Sequence, residues 1–338
     1  MSKTINVAVS GVGGGVGQSI IKALHGQNIR IISLDGDYLA TGLYAETKGF
    51  KIPYANRPRF LERILNICKG EKCKFYFPGL DAELPILAKY KDTFKKVGTT
   101  VIVSDSEIIE ICDDKLITYK FLSRNNILTP VTHTLNNFIK KEVVLDFPMI
   151  IKPRKGGARS KNVFLLRTRK DFDRLLLNDF PITEYIIQEY IDGDEYTCGT
   201  INFESKHFGT VVMKRILRDG DTYKCFTEKN ISIEKEVSKL MKILKPFGPC
   251  NVQLRMKKNL PYVIELNARC SGTTAARALA GFNEPKMTID YLLHGKIPKF
   301  TIKQISILRY WKEYVVKNSS IEKMKKNGFV VNKWTTAL

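Results

Sequence analysis

Ile5-Asn6-Val7-Ala8-Val9 begins the chain's hydrophobic pattern as a nearly continuous apolar run, and a second such run spans Ile29 to Leu34. Short continuous runs of this kind predict strands buried on both faces of a parallel sheet. Between them the stretch Ser10 to Gly17 carries five glycines, followed by the helical pattern Gln18 to Leu24, and Asp35 closes the second strand. Further runs, Lys74 to Phe77 and Thr100 to Val103, continue the same layer to about residue 113. After Pro130 the style changes. Phe147 to Lys152 reads as a strand, Arg154 to Lys161 as a basic loop containing Gly156 and Gly157, and Asn162 to Leu166 as a returning strand. Tyr185 to Ile191 is another strand, interrupted at Asp192-Gly193-Asp194 and resumed from Glu195 to Ile201, with two long strands to about Leu217. These predict a second, largely antiparallel sheet.

The clearest alternation lies in Cys250 to Met256 and Tyr262 to Arg269. Strand side chains alternate faces, so Val252, Leu254 and Met256 share one side while Asn251, Gln253 and Arg255 share the other. In the second strand Ile264, Leu266 and Ala268 are expected inside, leaving Glu265, Asn267 and Arg269 together. A hairpin tip near Asn259 places Gln253 across from Glu265 and Asn251 across from Asn267. The result is an oxygen-rich patch edged by arginine. It suits Mg²⁺, which takes oxygen ligands and fills its shell with waters and substrate phosphates.

Charge adds one fact to this picture. Lys and Arg total 55 against 34 Asp and Glu, a formal net charge of +21 spread along 338 residues. Spread cations favour anions in general, whereas no aromatic-interleaved basic stripe points to nucleic acid. The seven cysteines contain no CxxC pair and read as thiols in a reducing compartment. With no apolar run long enough to span a membrane and no secretory h-region, the expectation is a soluble, cytoplasmic protein. Two sites remain open on the residues alone. Asp81 and Glu83 follow the end of a strand, where they either hold a substrate amino group or start the next helix. The glycine turn followed by Asp35 fits a nicotinamide-dependent oxidoreductase, although Val16 occupies the third position of GxGxxG.

The ordered set Asp114-Lys115, the strand ending at Lys152, Gly156-Gly157, Gln188-Glu189-Tyr190-Ile191, Gly193-Asp194-Glu195, Asn251-Val252-Gln253 and Ile264-Glu265-Leu266-Asn267-Ala268-Arg269 resembles the ATP-grasp superfamily. It looks most like the branch of the carbamoyl-phosphate synthetase large subunit. The resemblance implies an α/β and α+β architecture: a Rossmann-like pre-ATP-grasp domain at 1–113, a small lid subdomain at 114–190, a large subdomain at 191–310 and a C-terminal extension at 311–338. By the same resemblance Lys115 and Lys152 contact ATP phosphates under a lid at Gly156 and Gly157, Glu189 and Ile191 take the adenine edge, and Glu195 takes the ribose. Gln253, Glu265 and Asn267 hold Mg²⁺, with Mn²⁺ able to replace it. The resemblance further implies that Arg269 steadies the transferred phosphoryl, that Arg218 matches a position near the acceptor, and that the Gly11 to Gly17 turn, with Gly13 and Gly14, is either structural or faces substrate. Ala268 departs from the usual proline, and the motif set occurs once. The chain therefore looks like a stand-alone carboxylate–amine ligase acting through an acyl phosphate, with an anionic acceptor and a homodimer as further expectations.

Overall fold

The computed structural model describes residues 4–156, 161–177 and 180–332. The first sheet is built from β1 (Ile5–Ser10), β2 (Ile29–Asp35), β3 (Lys48–Lys51), β4 (Phe75–Phe77) and β5 (Thr100–Val101), all parallel. β1 lies near its centre, and its side chains divide between two cores. Ala8 joins Ile32, Leu34, Phe60 and Tyr76 on one face, while Val7 and Val9 join Ile20, Ile31, Phe75 and Phe77 on the other. That two-sided burial is why the strand sequence is continuously apolar.

The antiparallel part contains two sheets. β6 (Thr132–Thr134), β7 (Met149–Pro153), β8 (Phe164–Leu166) and β9 (Tyr185–Glu189) form the smaller, in the order β6-β9-β7-β8. The larger contains β10 (Asp194–Phe203), β11 (Lys206–Arg218), β12 (Asp221–Thr227), β13 (Gly248–Lys257), β14 (Leu260–Asn267) and β15 (Ser306–Leu308), ordered β14-β13-β10-β11-β12-β15. Its back is covered by the Ile231–Leu244 helix, whose Ile233, Val237, Leu240, Met241 and Leu244 recur at helical spacing and meet Val252, Leu254 and Leu266. Asn230 caps that helix by accepting from the Ile233 N–H at 3.1 Å.

The chain's last described strand, β16 (Phe329–Val331), is antiparallel to β3, with Val330 opposite Gly49. The preceding Asn318–Asn327 helix places Met324 in the same core as Val7 and Val9. Residues expected as an extension thus complete the first sheet. Three-residue strands whose partners lie far away in sequence leave no local periodicity to read.

Candidate active site

The β13–β14 hairpin turns at Lys258 and Asn259, both at positive φ, and pairs Gln253 with Glu265 and Asn251 with Asn267. A bulge between Gln253 and Leu254 then changes the strand parity, so Leu254 faces Val263. Val263 therefore enters the core, and Ile264, expected inside, lines the cleft beside Glu265.

This hairpin floors two adjoining cavities of about 540 and 240 Å³, and Lys115, Arg215, Gln253 and Glu265 line both. The smaller combines apolar walls, including Ile150, Ile191 and Ile264, with Lys152, Glu189 and Glu195. The larger reaches the first sheet, bringing Gly14, Gly15 and Asp81 to face Asn251, Asn267 and Arg269. The glycine turn needs its glycines. Gly11 has φ +61, and a Cβ on Gly17 would lie 2.3 Å from the Gly11 carbonyl oxygen.

Arginines organise the floor. Arg269 donates from Nε and Nη2 to the two Asp81 carboxylate oxygens at 2.5 and 2.7 Å, and from Nη2 to Asn267 Oδ1 at 3.1 Å. Burial works to raise the Asp81 pKa, but the charge and hydrogen bonds of Arg269 outweigh it and hold the group below the ordinary carboxylate range. Arg215 Nε donates to Glu195 Oε1 at 3.0 Å and Arg215 Nη2 to Gln253 Oε1 at 2.7 Å. Arg255 reaches Glu195 Oε2 at 3.0 Å and the Ile191 carbonyl at 3.1 Å, with its guanidinium carbon 5.2 Å from the Tyr190 ring centroid. Lys152 Nζ, at the end of β7, lies 3.5 Å from the Ile264 carbonyl. Burial pushes its pKa down to about 8, against the pull of Glu265 and Glu195. Lys115 Nζ donates to the Gly156 carbonyl at 2.7 Å, and Asp114, which caps the Lys115–Arg124 helix, accepts from Arg154.

The cleft thus gathers Lys115, Lys152, Gly156, Glu189, Ile191, Glu195, Gln253, Glu265, Asn267, Arg269, Gly14 and Asp81. Gly157 lies outside the described residues. Three expected residues sit elsewhere. Glu83 is buried behind the cleft, where Ser10 Oγ and the Tyr76 hydroxyl donate to its Oε2 at 2.5 and 3.0 Å, and burial raises its pKa to about 7. Gly13 gives its N–H to Asp35 Oδ2 at 2.7 Å. Arg218 stacks on Tyr223, 3.9 Å from the ring centroid, because three residues along β11 reverse the face that Arg215 presents. Arg215 is the cleft residue that the sequence reading missed, while Arg255 shares the face on which Gln253 was expected.

Glu265 offers a carboxylate, and the Gln253 and Asn267 amide oxygens, which accept from Arg215 and Arg269, each keep a second lone pair. Among the described residues no group of three or more His, Cys, Asp and Glu side chains converges as a metal cage. A divalent ion at Glu265 would take the rest of its shell from amides, phosphates and water, a composition that fits Mg²⁺. The Asp35 carboxylate, occupied by the Gly13 and Asp37 N–H groups, is spent on shaping the turn. The oxidoreductase reading finds no support.

Comparison with known proteins agrees with this geometry. Residues 112–273 match the model of the ATP-grasp domain, and residues 9–102 match that of the PylC-like, N-terminal domain. The carbamoyl phosphate synthase large chain of Thermoanaerobacter sp. (strain X514) is 25% identical over 263 residues, covering 73% of this chain and 24% of its own length. The chain therefore spans about a quarter of that relative. D-alanine–D-alanine ligase A of Clostridium perfringens (strain 13 / Type A) is 29% identical over 210 residues, 56% of this chain and 68% of that protein. The crystal structure of an L-amino acid ligase from Bacillus licheniformis superposes with a TM-score of 0.68 at 18% identity, covering 87% of this chain and 75% of the other. Among the described residues no helix is long and apolar enough to cross a membrane. Residues 112–273 are thus an ATP-grasp domain, preceded over residues 9–102 by a PylC-like N-terminal domain.

Proposed function

We propose that this chain is an ATP- and Mg²⁺-dependent carboxylate–amine ligase working through an acyl phosphate. The observation that carries this reading is the joint between the two cavities, where Lys115, Arg215, Gln253 and Glu265 belong to both. A nucleotide in the smaller cavity would lay its base against Ile150, Ile191 and Ile264 and point its phosphates past Lys152 toward that joint. The carboxylate and amine would meet the terminal phosphate from the larger cavity.

The reaction joins a carboxylate oxygen to the γ-phosphorus as ADP leaves, after which the amine nitrogen attacks the acyl carbon and phosphate departs with its oxygen. One proton is lost from the nitrogen. Bringing two anions together makes charge neutralisation the main requirement. Lys115, Lys152 and Arg269 supply fixed cations around the transfer point, and Glu265 with Gln253 and Asn267 would hold Mg²⁺. That ion neutralises phosphate charge when bound. Gly156 lines the substrate cavity and would help to keep water from the acyl phosphate. Asp81, anchored by Arg269, is placed to accept a hydrogen bond from the substrate amine. The names of the relatives favour an amino acid as amine, and the cationic cleft favours an anionic acceptor.

The test is calorimetric titration of Mg²⁺ and a non-hydrolysable ATP analogue into the wild type and Glu265→Ala, with NADH as control. Metal-dependent binding that is lost in the variant, followed by ADP release with an amino-acid panel, supports the ligase. Binding of NADH instead of the analogue would overturn it.

A further inference from the structure

Beneath the cleft floor lies an ion pair that the proposed reaction does not use. Arg277, on the Thr274–Leu279 helix, and Glu284, the first residue of the Glu284–His294 helix, are both fully buried, with Nη1 2.7 Å from Oε1. Withdrawing two charges from water is costly, and well-packed apolar residues of similar volume are often at least as stable. Arg277 Nε is moreover buried without a partner. Stability alone is a poor account of such a pair. Its geometry delivers orientation. Arg277 Nη2 donates to Thr197 Oγ1 at 2.9 Å and to Asn251 Oδ1, and Thr197 Oγ1 donates to the same Oδ1 at 2.7 Å.

Two donors on one oxygen decide which way the Asn251 amide faces. Its Oδ1 is taken by the pair and Thr197, which leaves the NH₂ as the group it offers to the cleft it lines. Asn251 sits opposite Asn267 and one same-face step from Gln253 along β13. Gly199, opposite Asn251 on β10, makes room for the device: a Cβ there would lie 2.5 Å from Glu284 Oε1 and 2.6 Å from Arg277 Cδ.

We infer that Arg277 and Glu284 are positioning residues that hold the Asn251 amide with its N–H groups toward the transferred phosphoryl. In this role Asn251 is a hydrogen-bond donor to the anion, not a metal ligand. A donor already aimed at developing charge needs no reorientation during the reaction. The inference rests on the ligase reading above, since it requires a nucleotide whose terminal phosphate reaches the joint.

The experiment compares Mg²⁺-ADP with Mg²⁺-β,γ-imido-ATP on the full chain, because only the second carries a phosphoryl for Asn251 to meet. Asn251→Asp, Thr197→Val and the double variant Arg277→Met/Glu284→Leu are measured beside the wild type. Each variant should bind the imido analogue about tenfold more weakly, the scale of a lost hydrogen bond to a charged group. ADP affinity should stay within about twofold in each, whereas general damage to the fold would weaken both nucleotides. A folded double variant with the wild-type ratio of the two affinities overturns the inference. If that variant does not fold, Arg277→Gln/Glu284→Gln, which keeps two hydrogen-bonding side chains in the same space without the charges, carries the same test, and an unchanged ratio of the two affinities in it overturns the inference. A wild type that binds neither nucleotide refutes the ligase reading itself, and this inference with it.

Discussion

Lys152 shows how one residue's environment sets both a function and a cost. The residue is 8% exposed, and burial brings its pKa from 10.5 to about 8. It is still mostly an ammonium at neutral pH, within reach of losing its charge under mildly alkaline conditions. Affinity for Mg²⁺-ADP should therefore fall as pH rises above 8, approaching tenfold per unit, roughly, once the lysine is largely neutral. Lys152→Arg, whose charge does not titrate in this range, should abolish the decline, and titrations at pH 7, 8 and 9 read the difference. The stability effect runs the other way. Between pH 8 and 10.5 the unfolded chain holds the proton that the folded chain has released, so this group's contribution to stability rises with pH across that window. Below it the buried charge costs on the order of a few kcal/mol. Lys152→Met should accordingly melt at a higher temperature than the wild type at pH 7 while losing nucleotide binding. A variant that loses both stability and binding would show the lysine to be part of the packing.

At the scale of strands, side-chain parity decides who reaches the cleft. Arg215 lines both cavities and holds Glu195 and Gln253, whereas Arg218 rests on Tyr223. Arg215→Ala should therefore reduce kcat/KM in an ADP-release assay by roughly a hundredfold, since it removes a charge-assisted pair at the site and leaves the half-buried Glu195 carboxylate with Arg255 alone. Arg218→Ala should stay within about twofold, as expected of a residue outside the cleft. Reversed magnitudes would restore the expectation drawn from the motif. The same parity explains what the sequence made legible. Gln253 opposite Glu265 followed from alternation and a short turn, both local properties. Ile264 was misplaced because a bulge shifts the faces within the strand, and nothing in Tyr262 to Arg269 marks it. Asp81 and Glu83 are two residues apart yet part company, one toward Arg269 and one toward Ser10 and Tyr76. A short helical turn separates them, so strand-like spacing does not apply. Arg277 and Glu284 were invisible, because their meaning depends on Asn251, brought near only by folding.

For the whole molecule, the cleft exists because the parallel sheet is fastened to the antiparallel one. Arg269 grips Asp81, Ser19 Oγ donates to the Gly272 carbonyl at 2.8 Å, and Asn283 Nδ2 donates to the Ala23 carbonyl at 2.7 Å. The glycine turn and the β13–β14 hairpin therefore hold their mutual spacing only while the first sheet is intact. Part of that sheet arrives last in the chain. β16 covers the edge of β3, Met324 and Val330 enter the core, and Tyr314 donates to the Tyr44 carbonyl at 3.1 Å. Removing residues 317–338 would expose β3 as an unpaired edge and strip the core of two buried side chains worth about 1.5–3 kcal/mol each. For a chain of this size that predicts a fall in Tm on the order of 10 °C, with increased aggregation on heating. Nucleotide binding at 15 °C should survive in the truncated chain, because the smaller cavity is lined by residues between 115 and 265. Carboxylate-dependent ADP release should decline more, since the larger cavity borrows Gly14, Gly15 and Asp81 from the weakened sheet. Differential scanning calorimetry and paired binding and turnover assays separate these outcomes. An unchanged Tm would mean that the terminal strand decorates the sheet, and equal losses of binding and turnover would mean that the two cavities fail together.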